Sequence, residues 1–279
     1  MDEQLILVKK KNGEKAPYDE QKLVQALQRS GANQHDIDIA LSQVNKIIHN
    51  GISTRKIYEV AYNSLKKRSH YSAGRYRLKR AMMELGPSGY PFEKFIGKIF
   101  DAEGYHTKVD QIVNGSCVTH EVDVIARNEI EQIMVECKYH SDTSIKSDVK
   151  VALYIHSRFQ DVEKTWQKTE EFNGLKFRGM VVTNTRFSDD AMKYASCVNL
   201  GLISWDFPRG KSLKDLIDKA GYHPITSLST LTRSEKSKLL DKGLVLCRDI
   251  SNNVNLLKDI GLQKPKIDRV IKESLDIIS

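Results

Sequence analysis

The sequence predicts a multi-domain α/β protein, and two observations support this fold class. Apolar residues recur at helical spacing near both ends, whereas short apolar strands alternate with helices in the middle. Two breaks rich in Pro and Gly, at 86–91 and 207–211, interrupt any helix and separate three parts. We therefore predict three domains. Residues 1–87 form a β-hairpin plus helical bundle, residues 88–210 a mixed sheet in the order αβββαβ, and residues 211–279 a helical segment.

Composition and charge narrow the class of protein. The chain has 279 residues and a formal net charge of +8. It holds no apolar run of roughly 20 residues, the length that crosses a bilayer, and it begins without a signal-peptide pattern. Four cysteines lie far apart, which argues against a zinc site or a disulfide framework. We expect a cytoplasmic protein with no membrane partner.

The net charge is divided unevenly among the three parts. Residues 1–89 carry +7, residues 90–210 carry −3, and residues 211–279 carry +4. An anionic partner is therefore expected at the flanks more than at the middle part.

The first part opens with a predicted hairpin. Asn12-Gly13 follows the short apolar run at 5–8, and both residues tolerate the positive φ of a tight turn. Asp19 is expected to be the N-cap of the next helix. Further helices fit 35–48, 54–68 and 72–84.

The middle part alternates between helices and strands, which implies a mixed sheet flanked by helices. The first helix carries five apolar residues at helical spacing between Phe92 and Phe100. Helices are predicted over 91–103, 145–170 and 189–198, and strands over 106–113, 120–126, 131–138, 179–183 and 202–205. The last part is predicted to be helical, with a tight turn at Gly261.

Candidate catalytic residues fall on two neighbouring strands of this middle part. Glu136 and Lys138 share one face of their strand, and Asp123 lies on the strand before it. Two carboxylates on adjacent strands can hold a hard divalent cation, and a lysine beside them can orient water or offset charge on a phosphoryl oxygen. Glu93 borders the buried stripe of the preceding helix, where a carboxylate needs a partner. The alternative is a salt bridge between Glu136 and Lys138, with Asp123 as an acid at a turn.

This constellation resembles the PD-(D/E)xK nuclease superfamily, in particular the Mrr-like restriction endonucleases, over about residues 88–206. The resemblance is carried by the segments at 120–125 and 135–140, although Val122 stands where the motif's name has proline. It implies a restriction-endonuclease-like sheet and cleavage of DNA. It also implies that Asp123, Glu136 and Glu93 bind Mg²⁺ (or Mn²⁺), and that Lys138 assists the attacking water.

Three neighbours of this motif are left outside the metal set. Glu121 is predicted to share the face of Val122 and Val124, away from Asp123. His120 and His140 are expected to be hydrogen-bonded support for the site more than ligands.

The first part resembles the ATP-cone, the nucleotide-sensing domain of ribonucleotide reductases and their transcriptional repressor. The resemblance runs over about residues 3–85 and is carried by the segments at 7–13, 18–23, 51–58 and 71–77. Lysines beside a helix N-terminus favour a polyphosphate. The resemblance implies that ATP or dATP binds here, with phosphates on Lys10, Lys11 and Lys22 and the base and sugar near Asp19, Thr54 and Tyr58. The alternative is a solvated lysine hairpin.

The last part resembles a helix-hairpin-helix element over 257–273, although Gln263 stands where a second hairpin glycine is usual. The resemblance implies phosphate contacts, to which Lys264 and Lys266 would add attraction that does not depend on sequence. A plain pair of packed helices is the alternative.

Together these features predict a Mg²⁺-dependent DNA endonuclease, of the restriction or antiviral defence type. ATP or dATP at the cone would set its activity, and we expect a homo-oligomer that responds to nucleotide. The alternative is a nucleotide-responsive DNA-binding regulator with an inactive nuclease fold; processing of RNA or branched DNA is a third possibility.

Overall fold

The computed structural model describes residues 6–10 and 13–278, and the chain divides into two compact units. Unit 1 is formed by Met1–Ala81, Ile225–Lys238 and Cys247–Ser279, and unit 2 by Met82–Pro224 and Leu239–Leu246. The segment predicted as a separate C-terminal domain over 211–279 is thus shared between the two units. The predicted three-domain division stays a prediction.

Unit 1 begins with an antiparallel hairpin followed by short helices. The hairpin pairs Val8 with Ala16, and its predicted tip at Asn12 lies outside the described residues. Asp19 caps the first helix, since its carboxylate accepts a hydrogen bond from the Lys22 backbone N–H at 3.3 Å. The elements are β1 (Leu7–Lys9), β2 (Lys15–Pro17), α1 (Glu20–Arg29), α2 (Gln34–Asn45), α3 (Thr54–Lys66), α4 (His70–Tyr76) and α5 (Leu78–Met82).

The core of this bundle follows from the amphipathic spacing of its helices. Leu27, Ala40, Val44, Ala61 and Leu65 are fully buried between α1, α2 and α3. The single helix predicted over 72–84 is instead two helices, because α4 closes with Arg77 as its C-cap before α5 begins.

Unit 2 is an α/β layer structure around one mixed sheet. Its first elements are α6 (Tyr90–Ala102), β3 (His106–Asn114), β4 (Thr119–Arg127), β5 (Glu131–Lys138), β6 (Lys146–Ser147) and α7 (Val149–Trp166). They are followed by β7 (Lys176–Thr183), β8 (Arg186–Phe187), α8 (Asp189–Cys197), β9 (Gly201–Ile203) and α9 (Leu213–Ala220).

The five-stranded sheet has the order β3-β4-β5-β7-β9. The first three strands form an antiparallel meander, and β7 and β9 extend it in parallel. The central strand β5 is buried from Gln132 to Cys137, as its continuous apolar run predicted, while the edge strand β3 alternates between exposed and half-buried residues. The predicted αβββαβ order is confirmed.

Helix α7 begins four residues later than predicted. Asp148 is its N-cap and accepts hydrogen bonds from the backbone N–H groups of Lys150 and Val151. The preceding Lys146–Ser147 forms the short parallel pair with Arg186–Phe187 instead. The cap therefore overrides a continuous helical pattern.

The rest of the chain is helical, as predicted. It contains α10 (Arg233–Asp241), α11 (Val254–Asp259) and α12 (Lys264–Ile278). Gly261, with φ of 91°, makes the tight turn between the last two helices. Within unit 1, α12 packs against α4, and Thr226 donates a hydrogen bond to the Ala81 carbonyl at 2.7 Å. No helix in the described residues is both long and apolar enough to span a bilayer.

Candidate active site

Asp123 and Glu136 are cross-strand neighbours in the centre of the sheet. The antiparallel register of β4 and β5 pairs Val124 with Val135, so the next positions along the ladder are Asp123 and Glu136. One oxygen of Asp123 also accepts a hydrogen bond from the Cys137 backbone N–H at 2.6 Å. The register therefore brings together two predicted metal ligands that are 13 residues apart in sequence.

Both oxygens of Glu136 are paired with cations. Lys138 Nζ donates to Glu136 Oε1 at 2.5 Å, and Arg158 Nη1, from α7, donates to Glu136 Oε2 at 2.9 Å. Glu136 is 5% exposed. A buried carboxylate requires such partners because removing its charge from water is costly.

The two other carboxylates have raised pKa values. Burial, together with the charge of Glu136, raises the pKa of Asp123 to about 6. Burial and the charges of the surrounding carboxylates, Asp123 first among them, raise the pKa of Glu93 to about 7. Glu93 stands in the first turn of α6, where a Cβ on Gly89 would approach its Oε1 to 2.9 Å. All four predicted catalytic residues thus lie in one electrostatically coupled group.

Glu121 belongs to the same cavity, so the prediction that it faces away from Asp123 is wrong. The cavity has a volume of about 340 Å³ and is lined by Thr119, His120, Glu121, Asp123, Glu136, Tyr154 and Arg158. The β3–β4 ladder is interrupted opposite Asp123, where Asp110 has a φ of 57°. The register is the same on both sides of this gap, so the alternation is kept, and Glu121 and Asp123, two residues apart in β4, share a face.

The turn between β3 and β4 is fixed by Asp161 of α7. Its carboxylate accepts hydrogen bonds from the backbone N–H groups of Cys117 and Val118, and it lies 2.9 Å from His120 Nε2. The hydrogen bond to His120, chief among these, holds the pKa of Asp161 well below its usual range. A Cβ on Gly115 would lie 2.0 Å from Asp161 Oδ2, so glycine permits this close approach.

The oxygen-rich group fits a divalent cation, although it is no preformed cage. Among the described residues, no set of three His, Cys, Asp or Glu side chains is arranged to enclose a metal. Mg²⁺ commonly binds through one or two carboxylates and keeps water or substrate oxygens in its other positions. Asp123 and Glu136 supply two such carboxylates, and burial, followed by the neighbouring carboxylates, raises the pKa values of Asp123 and Glu93, so a bound cation would favour their ionised forms.

The residues predicted to bind nucleotide belong to the hairpin and the first three helices of unit 1, except Lys11, which lies outside the described residues. The Lys9 backbone N–H donates to the Ile52 carbonyl at 2.8 Å, so the hairpin is attached beside the start of α3 at Thr54. Lys10 pairs with Glu14 at 3.2 Å, and Lys22 Nζ pairs with Asp19 at 3.3 Å. These lysines are exposed and available to a phosphate.

Tyr58 lies in a cluster of tyrosine rings. It stacks on Tyr76 with ring centroids 5.0 Å apart and on Tyr62 at 6.2 Å. The Tyr18 hydroxyl is buried without a hydrogen-bond partner among the described residues, and burial raises its pKa. Aromatic faces of this kind are suited to stacking with a base.

Sequence reasoning missed Arg158 and Tyr154, although Arg158 left a signal. Arg158 lies three residues after Ile155 and four before Val162, both fully buried, and therefore on the inward stripe of α7. A charge on such a stripe needs a partner. The pattern did not identify Glu136 as that partner because the two residues come from separate elements.

Three known families match successive parts of the chain. A family described as the ATP cone domain matches residues 6–81, and one described as restriction endonuclease (Mrr) matches residues 86–213. A third, described as AF1548-like, C-terminal, matches residues 223–278. The helix-hairpin-helix interpretation of the tail stays a prediction.

Individual proteins and solved structures are also similar to this chain. An uncharacterized protein from Archaeoglobus fulgidus is 35% identical over 184 residues, 66% of this chain and 99% of that protein. A crystal structure of a protein of unknown function, AF1548, is 34% identical with a TM-score of 0.57, covering 68% of this chain and 98% of that one. A repair endonuclease from Pyrococcus abyssi is similar at 14% identity and a TM-score of 0.31, covering 42% of this chain and 46% of its own, too distant to support an argument. The chain therefore belongs to the AF1548-like family and combines an ATP-cone domain with an Mrr-like restriction-endonuclease domain.

Proposed function

We propose that the protein is a divalent-metal-dependent DNA endonuclease, whose cleavage is regulated by ATP or dATP at its ATP-cone. The observation that carries the proposal is the group of charged residues on a restriction-endonuclease-like sheet: Asp123 and Glu136 line one cavity, Lys138 is hydrogen-bonded to Glu136, and Glu93 is electrostatically coupled to both carboxylates. Carboxylates and a lysine in this arrangement suit hydrolysis of a phosphodiester, where negative charge develops on phosphoryl oxygens.

Different residues of the chain would have different roles in hydrolysis. Mg²⁺ or Mn²⁺, when bound, would supply a Lewis acid that polarises a phosphoryl oxygen and lowers the pKa of water. Asp123 and Glu136 would hold it, with Asp123 fixed by the Cys137 backbone N–H. Lys138 donates to Glu136, and its side chain is 34% exposed and so partly accessible to solvent. Its ammonium can therefore orient the attacking water and offset charge on the phosphate.

Glu93, which is electrostatically coupled to Asp123 and Glu136, would act as a proton-accepting group or as a further ligand. With a pKa near 7 it exchanges protons readily at neutral pH, and a bound cation would drive it to its ionised form.

Nucleotide control rests on the cone. Exposed Lys10 and Lys22 lie near the N-terminus of α1, and the tyrosine cluster at Tyr58 belongs to the same bundle. The C-terminal helix α12 packs against α4 of this bundle, so nucleotide binding can influence the segment that we propose to hold DNA. We propose a homo-oligomer whose association changes with nucleotide, acting in the cytoplasm against foreign DNA.

The test is cleavage of supercoiled plasmid by the full-length protein with Mg²⁺, Mn²⁺ or EDTA, each without nucleotide and with ATP or dATP. We expect nicking or linearisation with metal alone or with metal and one nucleotide, none in EDTA, and a shift in sedimentation on adding nucleotide. Absence of cleavage under every metal and nucleotide condition, by protein with a native melting transition, would overturn the nuclease assignment.

One observation favours the alternative of a DNA-binding regulator with an inactive nuclease fold. Both oxygens of Glu136 are already satisfied by Lys138 and Arg158, so the site is partly charge-compensated without a metal. DNA binding that responds to nucleotide, with no cleavage and no Mn²⁺ binding, would establish this alternative.

A further inference from the structure

Arg158 is the cation nearest to the proposed metal ligands that comes from outside their strands. It lies in the middle of α7, and its guanidinium donates to Glu136 Oε2 at 2.9 Å and also to the backbone carbonyl of Glu121. It thus connects a buried carboxylate of β5 with the backbone near the start of β4.

Among the described residues, these contacts leave one N–H donor of the guanidinium without a hydrogen-bond partner. Arg158 Nε is buried and has no hydrogen-bond partner among the described residues, although Arg158 as a side chain is 12% exposed and lines the cavity. Tyr154, one turn earlier on α7, covers the guanidinium with its ring at 5.4 Å. A planar cation held between a carboxylate and an aromatic ring, with one N–H left unpaired, is suited to a further anion.

Glu136 cannot pair with a cationic side chain and bind a metal ion through the same oxygen. A cation bound by Glu136 and Asp123 needs a carboxylate oxygen that Arg158 or Lys138 now occupies. The guanidinium would lose its anion when that exchange takes place, and a buried guanidinium without an anion is costly. A DNA phosphate in the cavity would satisfy it, and arginine binds phosphate through two parallel hydrogen bonds.

We propose that Arg158 couples metal loading to DNA binding: its guanidinium pairs with Glu136, and it would pair with a DNA phosphate when Glu136 serves as a metal ligand. This inference rests on the proposed nuclease function and adds a residue that binds substrate. It predicts that metal and DNA strengthen each other's binding through Arg158, and that this coupling is reciprocal.

The test measures binding separately from cleavage. Mn²⁺ affinity is measured by calorimetry at pH 8 without DNA. DNA affinity is measured by fluorescence anisotropy with EDTA and with Ca²⁺. The proteins are the wild type, Arg158→Gln, Arg158→Lys, and Lys164→Gln, which removes one charge from an exposed position of the same helix.

For Arg158→Gln we expect Mn²⁺ to bind about threefold to tenfold tighter, because a competing cation has been removed from Glu136. The gain in DNA affinity that metal gives the wild type should shrink about tenfold, and cleavage at saturating Mn²⁺ should fall about a hundredfold. Arg158→Lys keeps the charge without the planar fork, so its Mn²⁺ affinity should stay near that of the wild type while the coupling is reduced. Lys164→Gln should match the wild type in both measurements.

Two results would overturn the inference on its own. One is weaker Mn²⁺ binding by folded Arg158→Gln and Arg158→Lys, which would make Arg158 a support for Glu136 only. The other is unchanged coupling between metal and DNA in both variants. If the wild type itself bound no Mn²⁺ and cut no DNA, the proposed nuclease function would fall, and this inference with it.

Discussion

The cavity of the sheet and the lysines of the cone both contain ion pairs, but the charges are buried in the first and exposed in the second. Glu136 is 5% exposed and has each oxygen paired with a cation, whereas the Lys22 side chain is 81% exposed and its nearest carboxylate is 3.3 Å away. Buried charge must be paired inside the protein because water cannot solvate it, while exposed charge is screened by water and salt. The difference indicates a preorganised site in the sheet and an adaptable one on the cone.

The largest effect on cleavage is expected where a charged group of the candidate active site is removed. Asp123→Asn and Lys138→Ala should each lower the rate of plasmid cleavage about a thousandfold or more, since each takes away charge that acts on the phosphate or the cation. Steady-state cleavage assays measure the effect. Asp190→Asn, on the exposed first turn of α8, is the matched control and should cleave like the wild type. A folded Asp123→Asn protein with wild-type activity would contradict the assignment.

On the cone we expect a smaller effect because its charges are exposed. Lys22→Glu should weaken ATP or dATP binding about tenfold, measured by calorimetry, by reversing a charge beside the N-terminus of α1. Lys46→Glu makes the same charge change at an exposed position after α2 and should leave affinity within about twofold. Equal losses in both variants would show a diffuse electrostatic effect without a defined site.

The burial of a carboxylate in the candidate active site should also lower the stability of the folded protein. The pKa of Glu93 is raised from 4.5 to about 7, so its ionisation destabilises the folded state progressively as pH rises between those values. Glu93→Gln should therefore melt a few degrees higher than the wild type at pH 8 in EDTA, and the difference should vanish near pH 4. Saturating Mn²⁺ should stabilise the wild type more than the variant. Thermal melts across pH measure this, and a lower melting temperature for Glu93→Gln at pH 8 would contradict it.

The smallest effect is expected on the C-terminal segment. Lys264 is exposed at the start of α12, whereas Lys266 is ion-paired with Glu235 at 2.7 Å. Lys264→Ala should weaken DNA binding less than about threefold and reduce its dependence on salt by about one unit of slope. Lys266→Ala should change DNA binding less than Lys264→Ala does, because its charge is already neutralised. Anisotropy titrations over a salt series distinguish the two, and the opposite order would contradict the prediction.

Much of the fold was predictable because its signals are local. The inward stripe of α6 and the apolar run of β5 identified a helix and a central strand. One error arose where a side chain competed with the periodic pattern, since the Asp148 cap delays the start of α7 without changing the pattern of apolar residues. The other was the face assigned to Glu121, which lies two residues before Asp123 in β4 and therefore shares its face.

The sequence alone determined the order of elements, the two family resemblances and the candidates Glu93, Asp123, Glu136 and Lys138, because each depends on periodicity or on a short motif. The tertiary structure decided how those candidates are paired. Arg158 reaches Glu136 across 22 residues, and the last helix packs beside α4 within the same unit as the cone. Such contacts follow from how separate elements pack, and a linear pattern holds no record of which residue will compensate a buried charge.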